Sequence, residues 1–362
     1  MKIYGIFRGF AGLGRVVSGM GIIKRFEKDG CEVRVFTYAQ GLSIAKEYGI
    51  SCMPVKGDTD IGFMGIVPIS PTGLAVVDDV LKWNPDCVLV DGEPLIIDCL
   101  RTVGIKGKIV ALTNPLDLYS PTNNPITMKY FKHLFCQSDM ILCHGLQSIE
   151  KSLTKIEKKK VFCLNTILRG EILDIKRSNP KYITCILGGG TQRCSRDFVL
   201  STIEIAKRVI LVAQQRPDLE FRIYCNDISI GTEIERLKPE NVSVITEYTS
   251  PAKMYKDSIL VIARAGRNTL SELLYLRIPS IVIPILGNVV SIEQNNNINI
   301  VSRLSRNNII GYNLDDVPET ILDAFDYIYN NKERTYDKWM CGNKKAFQLI
   351  QNLLGYEFFH DM

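Results

Sequence analysis

Short apolar runs alternate with longer stretches in which apolar positions recur every three to four residues, along the whole chain. The runs read as buried strands at Ile3–Arg8, Glu32–Tyr38, Cys87–Asp91, Lys108–Leu112, Met140–Cys143 and Lys160–Leu164. The periodic stretches predict helices over Val16–Asp29, Leu42–Tyr48, Gly73–Trp83, Pro94–Val103 and Thr127–Cys136, with Cys52–Pro54 short and extended. Each turn carries Gly, Pro, Asn or Asp. Strands alternating with helices in this way predict parallel sheets joined by right-handed crossovers.

The pattern then restarts. Asn165–Asn179 reads as a linker, and Tyr182–Leu187 opens a second series of strands. Phe198–Gln214 is helical. Phe221–Cys225, Val242–Ile245, Ile259–Ala263 and Ser280–Ile285 are strands, and the tail Val317–Leu354 reads as helical. Two α/β domains follow, 1–168 and 169–362, with the last helix free to pack back on the first. Ligands of such open sheets bind beyond the carboxyl ends of the strands. Two sheets facing each other would place a cleft between the domains.

Composition narrows the class. A chain of 362 residues with 46% apolar and 23% charged residues suits two soluble domains. A net charge of +5 is mild, and nucleic acid is not an expected partner. The basic run Lys155–Lys160 reads as a solvated loop or helix end. Eleven cysteines without a C-x-x-C pair argue against zinc and disulfide frameworks, and no metal site is expected. The start, M-K-I-Y-G-I-F, lacks a signal-peptide layout, and no apolar run has membrane-spanning length. A reduced cytoplasmic compartment fits these features.

Chemistry concentrates at strand ends. The first glycine loop, R-G-F-A-G-L-G-R, places Gly12 and Gly14 between the first strand and first helix, where backbone amides favour an anion. Its spacing is not that of a dinucleotide fingerprint. A second loop, G-G-G-T-Q-R at Gly188–Arg193, offers amides and the Thr191 hydroxyl to phosphate but lacks a P-loop Lys-Ser/Thr. Next comes R-A-G-R-N-T-L-S-E. Its Gly266 and Thr269 precede Glu272, an acceptor-only carboxylate able to take both hydroxyls of a ribose. The segment after Ser280–Ile285 reads as a loop carrying Glu293, Gln294 and Asn297.

These residues resemble the C-terminal half of a GT-B glycosyltransferase of family 28. In that family G-G-[ST]-Q contacts the donor diphosphate, and Gly189, Gly190, Thr191 and Gln192 match it. An arginine just after the last strand of the first domain contacts phosphate there, and Arg169 stands at that place. G-x-x-T-x-S-E matches Gly266, Thr269, Ser271 and Glu272, with the glutamate on ribose. [QDE]-Q-x-x-N matches Glu293, Gln294 and Asn297, which would hold the sugar hydroxyls. Tyr248 falls where backbone groups grip uracil. The resemblance implies a GT-B fold of two facing Rossmann-like domains. It also implies inverting transfer of a sugar, N-acetylglucosamine or another hexose, from a UDP-sugar to an acceptor hydroxyl, with no further cofactor. The acceptor could be a glycan, a lipid-linked molecule or a small molecule.

One position departs from the family. Its first loop ends in histidine, the base in some relatives, where this chain has Arg15. Arginine cannot serve as a base but can bind an anion. Asp91 and Glu93, in V-L-V-D-G-E-P, become the candidate bases, because burial at a strand end raises a carboxyl pKa. His144, Asn114 and Asp117 are further acceptor-side candidates. Water as nucleophile would make the protein a UDP-sugar hydrolase. Loss of the base would make it a non-catalytic nucleotide-sugar-binding subunit. The helix at 127–135 mixes aromatics with Lys129 and Lys132, which suits a core-facing amphipathic helix or peripheral membrane contact.

Overall fold

The computed structural model describes residues 1–9, 13–53, 61–62, 65–120, 123–177, 179–188, 196–247, 249–285, 289–331 and 333–356. The chain divides into two compact units. One comprises Met1–Gly170 together with the segment from Cys341 onward, and the other Glu171–Met340.

The first unit is built on a parallel six-stranded sheet. Its strands are β1 (Lys2–Phe7), β2 (Glu32–Phe36), β5 (Cys87–Asp91), β6 (Lys108–Thr113), β7 (Met140–His144) and β8 (Val161–Leu164), in the order β2-β1-β5-β6-β7-β8. A small antiparallel hairpin, β3 (Ile61–Gly62) with β4 (Gly65–Ile66), lies outside it. Cys52 adds a single parallel bridge to Val35, so the extended segment read there touches the β2 edge. The central strands are apolar on both faces because helices cover both. Ile3 and Phe7 of β1 join one core with the first helix (Gly14–Lys28), and Tyr4 and Ile6 join the other. Each fully buried aliphatic or aromatic side chain of this kind is worth about 1.5–3 kcal/mol against exposure.

The last helix (Asn343–Leu354) packs on the first helix within this unit. Phe347 meets Phe26 with ring centroids 4.6 Å apart, and Ala346 and Ile350 are fully buried. The tail is therefore not one helical stretch. Thr320–Asn330 and Asn343–Leu354 are separate helices, the first packed in the second unit and the second in the first. Polar residues and Gly342 between them interrupt the apolar period.

The second unit repeats the plan. Its strands β9 (Tyr182–Ile186), β10 (Glu220–Tyr224), β11 (Val242–Ile245), β12 (Ser258–Arg264), β13 (Ser280–Ile283) and β14 (Ile309–Gly311) run in the order β11-β10-β9-β12-β13-β14. In both sheets the chain leaves the first strand toward one edge and later returns to its other side. That creates a switch point, at β1/β5 and at β9/β12, where open α/β sheets bind ligands. Among the described residues no helix is long and apolar enough to cross a membrane.

Candidate functional site

At the first switch point, register aligns Phe7 with Asp91, so the residues that follow both strands emerge together. The Arg8 N–H donates to the Asp91 carbonyl at 2.9 Å. Arg15, in the first turn of the first helix, reaches back over this edge. Its Nη1 lies 2.8 Å from Asp91 Oδ1, and its Nη1 and Nη2 grip Asp117 at 3.1 and 3.0 Å. Asp117 is itself placed by the Asn114 N–H at 2.9 Å, within the short helix Pro115–Leu118. Asp91 is 1% exposed. Burial opposes the Arg15 charge, but the two carboxylates outweigh it and hold the guanidinium firmly protonated. Arg15 is thus clamped between two carboxylates, and Glu93 rather than Asp91 occupies the N-cap position of the following helix.

Glu93 faces inward and is fully buried. Its Oε1 accepts the Tyr38 hydroxyl at 2.5 Å and its Oε2 accepts the Ile66 N–H at 2.6 Å, with Arg8 Nε 3.8 Å away. Gly65 has φ +104° and rests against this carboxylate; any Cβ there would collide with it. Burial pushes the Glu93 carboxyl up to about 7, against the opposing pull of Arg8, Tyr38 and the Ile66 amide. Glu93 therefore ties the ends of β1, β2 and β5 to the small hairpin. Nothing in the sequence around Glu93 marks Tyr38 and Ile66 as its partners, because they arrive from separate strands.

His144 ends β7 and is fully buried. Its Nδ1 accepts the Ile167 N–H at 3.3 Å, which places the neutral ring's proton on Nε2. The segment 165–169 is also held by Ser18, whose hydroxyl donates to the Ile167 carbonyl at 3.3 Å, and by Asn343 on both sides of Leu168. Arg169 is half-buried at the end of this pinned segment.

At the second switch point the helix Arg267–Leu276 follows β12 with Gly266 as its N-cap. Gly266 has φ −72°, and a Cβ there would meet only Thr269 Oγ1, at an ordinary 3.7 Å, so the position does not serve a strained turn. Thr269 is half-buried in the first turn. The Ser271 hydroxyl donates to the Arg267 carbonyl at 2.8 Å. Glu272 is 1% exposed, and its Oε2 accepts the Tyr255 hydroxyl at 2.9 Å. Glu293, Gln294 and Asn297 do not lie in a loop. They occupy the first half of the helix Val289–Leu304, where spacings of three and four residues stack them along one side. Gln294 and Asn297 are buried, and Gln294 Oε1 accepts the Ile285 N–H at 2.7 Å, anchoring the chain as it leaves β13.

Arg264, not singled out by its motif, is also at this edge. Its guanidinium donates to the Leu187 carbonyl beneath Gly188. Gly188 has φ +89°, and a Cβ would strike the guanidinium, so both backbone and contact demand glycine. A buried charged residue at the last position of an apolar strand was the available signal. Gly12, Gly189, Gly190, Thr191, Gln192 and Tyr248 lie outside the described residues; Gly14 opens the first helix.

Residues 186–354 match the glycosyltransferase family 28 C-terminal domain. The likeness is to that domain alone and spans somewhat less than half of the chain. This match contains Arg264, Gly266, Glu272, Gln294 and Asn297, whereas Arg15, Asp91 and Asp117 lie outside it. The UDP-N-acetylglucosamine--N-acetylmuramyl-(pentapeptide) pyrophosphoryl-undecaprenol N-acetylglucosamine transferase of Rickettsia felis is 28% identical over 152 residues. That alignment covers 37% of this chain and 40% of the relative. Across the curated relatives matched, the chain spans 30 to 56% of their length. Acinetobacter baumannii MurG superposes with a TM-score of 0.58 at 14% identity, covering 97% of this chain and 99% of that one. Methanocaldococcus jannaschii UDP-GlcNAc 2-epimerase, solved with UDP-GlcNAc and UDP, gives 0.62 at 12% identity over 98% and 100%. With two parallel six-stranded sheets, these likenesses make the fold GT-B, and residues 186–354 are similar to the family 28 C-terminal domain.

Proposed function

We propose that the protein is an inverting glycosyltransferase that moves N-acetylglucosamine or another hexose from UDP to an acceptor hydroxyl. The supporting observation is the buried Glu272 carboxylate, oriented by Tyr255 inside the family 28 domain, beside the helix that carries Glu293, Gln294 and Asn297. In this reading Glu272 takes the ribose hydroxyls. Glu293, Gln294 and Asn297 meet the sugar, and Tyr248 marks the uracil end. Gly189, Gly190, Thr191 and Gln192 with Arg169 neutralise the diphosphate as it departs. The name of the Rickettsia felis relative supports UDP-N-acetylglucosamine as donor.

Proton removal from the acceptor is given to Asp91, which is ion-paired with Arg15 at 2.8 Å. An ion-paired carboxylate is a weakened base, so modest turnover goes with this assignment. The same pair favours a second reading, a nucleotide-sugar-binding protein without catalysis. A lipid-linked acceptor and peripheral membrane contact are supported by the helix Pro125–Cys136, which exposes Ile126 and Tyr130 beside Lys129.

UDP release is the test. The protein is incubated with UDP-N-acetylglucosamine, with and without hydroxyl acceptors. Release that requires an acceptor supports the transferase; release of free sugar alone makes it a hydrolase. Tight UDP binding without release under any condition replaces both by the binding reading.

A further inference from the structure

Two thiols meet near the carboxyl edge of the first sheet. Cys143 and Cys163 are direct register partners on the neighbouring parallel strands β7 and β8, and both join the same core. Adjacent strands lie about 4.8 Å apart. That falls within the Cα separation of about 4.4–6.8 Å that a disulfide spans.

Their surroundings differ. Cys163 has Cys143 as its strongest electrostatic neighbour, followed by the Ile149 backbone and the Ser148 hydroxyl. These neighbours, Cys143 first, hold the Cys163 thiol below the usual cysteine range, against burial and the nearby Glu150. The neighbouring Cys163 and burial push Cys143 up. Cys143 is 2% exposed, whereas Cys163 is half-buried. A half-buried thiol register-paired with a buried one is the layout of an attacking and a resolving cysteine.

We propose that Cys163 and Cys143 form a peroxide-reactive dithiol that closes to a disulfide. The Cys163 thiolate attacks one oxygen of hydrogen peroxide. An S–O bond forms, the O–O bond breaks, and hydroxide leaves to become water. Cys143 sulfur then attacks the Cys163 sulfenic sulfur. The S–S bond forms, the S–O bond breaks, and the departing hydroxide takes the Cys143 proton. Two thiols and one peroxide give one disulfide and two waters. The bond would form one residue before His144 on β7 and one before Leu164 on β8, where the segment leading to Arg169 begins.

The full chain is exposed to hydrogen peroxide under native conditions, quenched with a maleimide, digested and mapped by mass spectrometry. The expected first product is a Cys143–Cys163 peptide pair lacking two hydrogens. Cys143→Ser should leave Cys163 as a sulfenic acid captured by dimedone, and Cys163→Ser should slow thiol loss at least about tenfold. A first disulfide elsewhere overturns the proposal. So does oxidation of Cys163 no faster than that of half-buried Cys99 and Cys341, whose thiols burial pushes up. The wild-type map decides even where a serine variant melts early.

Discussion

Asn343 holds Leu168 from both sides: its Oδ1 accepts the Leu168 N–H at 2.8 Å and its Nδ2 donates to the Leu168 carbonyl at 2.7 Å. One side chain of the last helix thereby replaces a strand neighbour for a residue 175 positions earlier. Asn343→Ala removes both bonds and leaves polar backbone atoms of a buried residue to find other partners. Unfolding by urea should show a loss of about 2 kcal/mol. If Arg169 contacts the diphosphate, UDP affinity should fall as well. An unchanged midpoint would remove Asn343 as the anchor of this segment.

The clamp on Arg15 predicts strong non-additivity. Arg15→Ala leaves Asp91 buried without its cation and should cost about 3–5 kcal/mol. Arg15→Leu combined with Asp91→Leu removes both charges and should cost much less than the two single changes together. Urea melts of the four proteins complete the cycle. Additive costs would show that the pair does not act as a unit.

Glu93 makes stability depend on pH in the unusual direction for a carboxylate. Its folded pKa is about 7, above the unfolded value of about 4.3. The protonated form is favoured by folding, so this contribution is full below about pH 4 and is lost as pH rises through 7. The difference is on the order of 3 kcal/mol. Melting temperature should decline between pH 5 and 8, and Glu93→Gln should flatten that decline. A wild-type profile that rises through the same window would refute the assignment.

Tyr255→Phe deletes the hydroxyl that orients Glu272 while keeping the ring. A hydrogen bond to a carboxylate is worth about 1.5–3 kcal/mol, so UDP binding should weaken about tenfold or more if Glu272 holds the ribose. Thermal shift with UDP reads this directly. Full affinity in the variant would detach Tyr255 from donor binding.

Gly188→Ala meets two obstacles, a φ of +89° and the Arg264 guanidinium. Stability should fall by about 1–3 kcal/mol. Arg264→Ala in the same background removes the collision and should recover part of it. No recovery would mean that backbone strain alone sets the cost.

The alternation of strands and helices was legible because apolar runs and turn residues are local signals. So were the positions of Arg15 and Asp91, each next to a strand or helix end, and of Glu272, six residues after Gly266. Their partners were not, because the clamp of Arg15 by Asp117 and the tie of Glu93 to Ile66 join segments far apart in the chain. The helix holding Glu293 and Asn297 was read as a loop because polar Gln and Asn mask its period. The hairpin Ile61–Ile66 was missed because its strands are only two residues each. The break before Asn343 was hidden by apolar positions on both sides of it.

The packing of Phe347 against Phe26 has a consequence for synthesis. Glu171–Met340 has all its strands once the ribosome has passed Met340, and it can close first. The unit whose chain was begun first must wait for its final helix, holding an uncovered apolar face of Ile23 and Phe26 until Ala346, Phe347 and Ile350 emerge. For these two units, order of synthesis and order of completion are reversed.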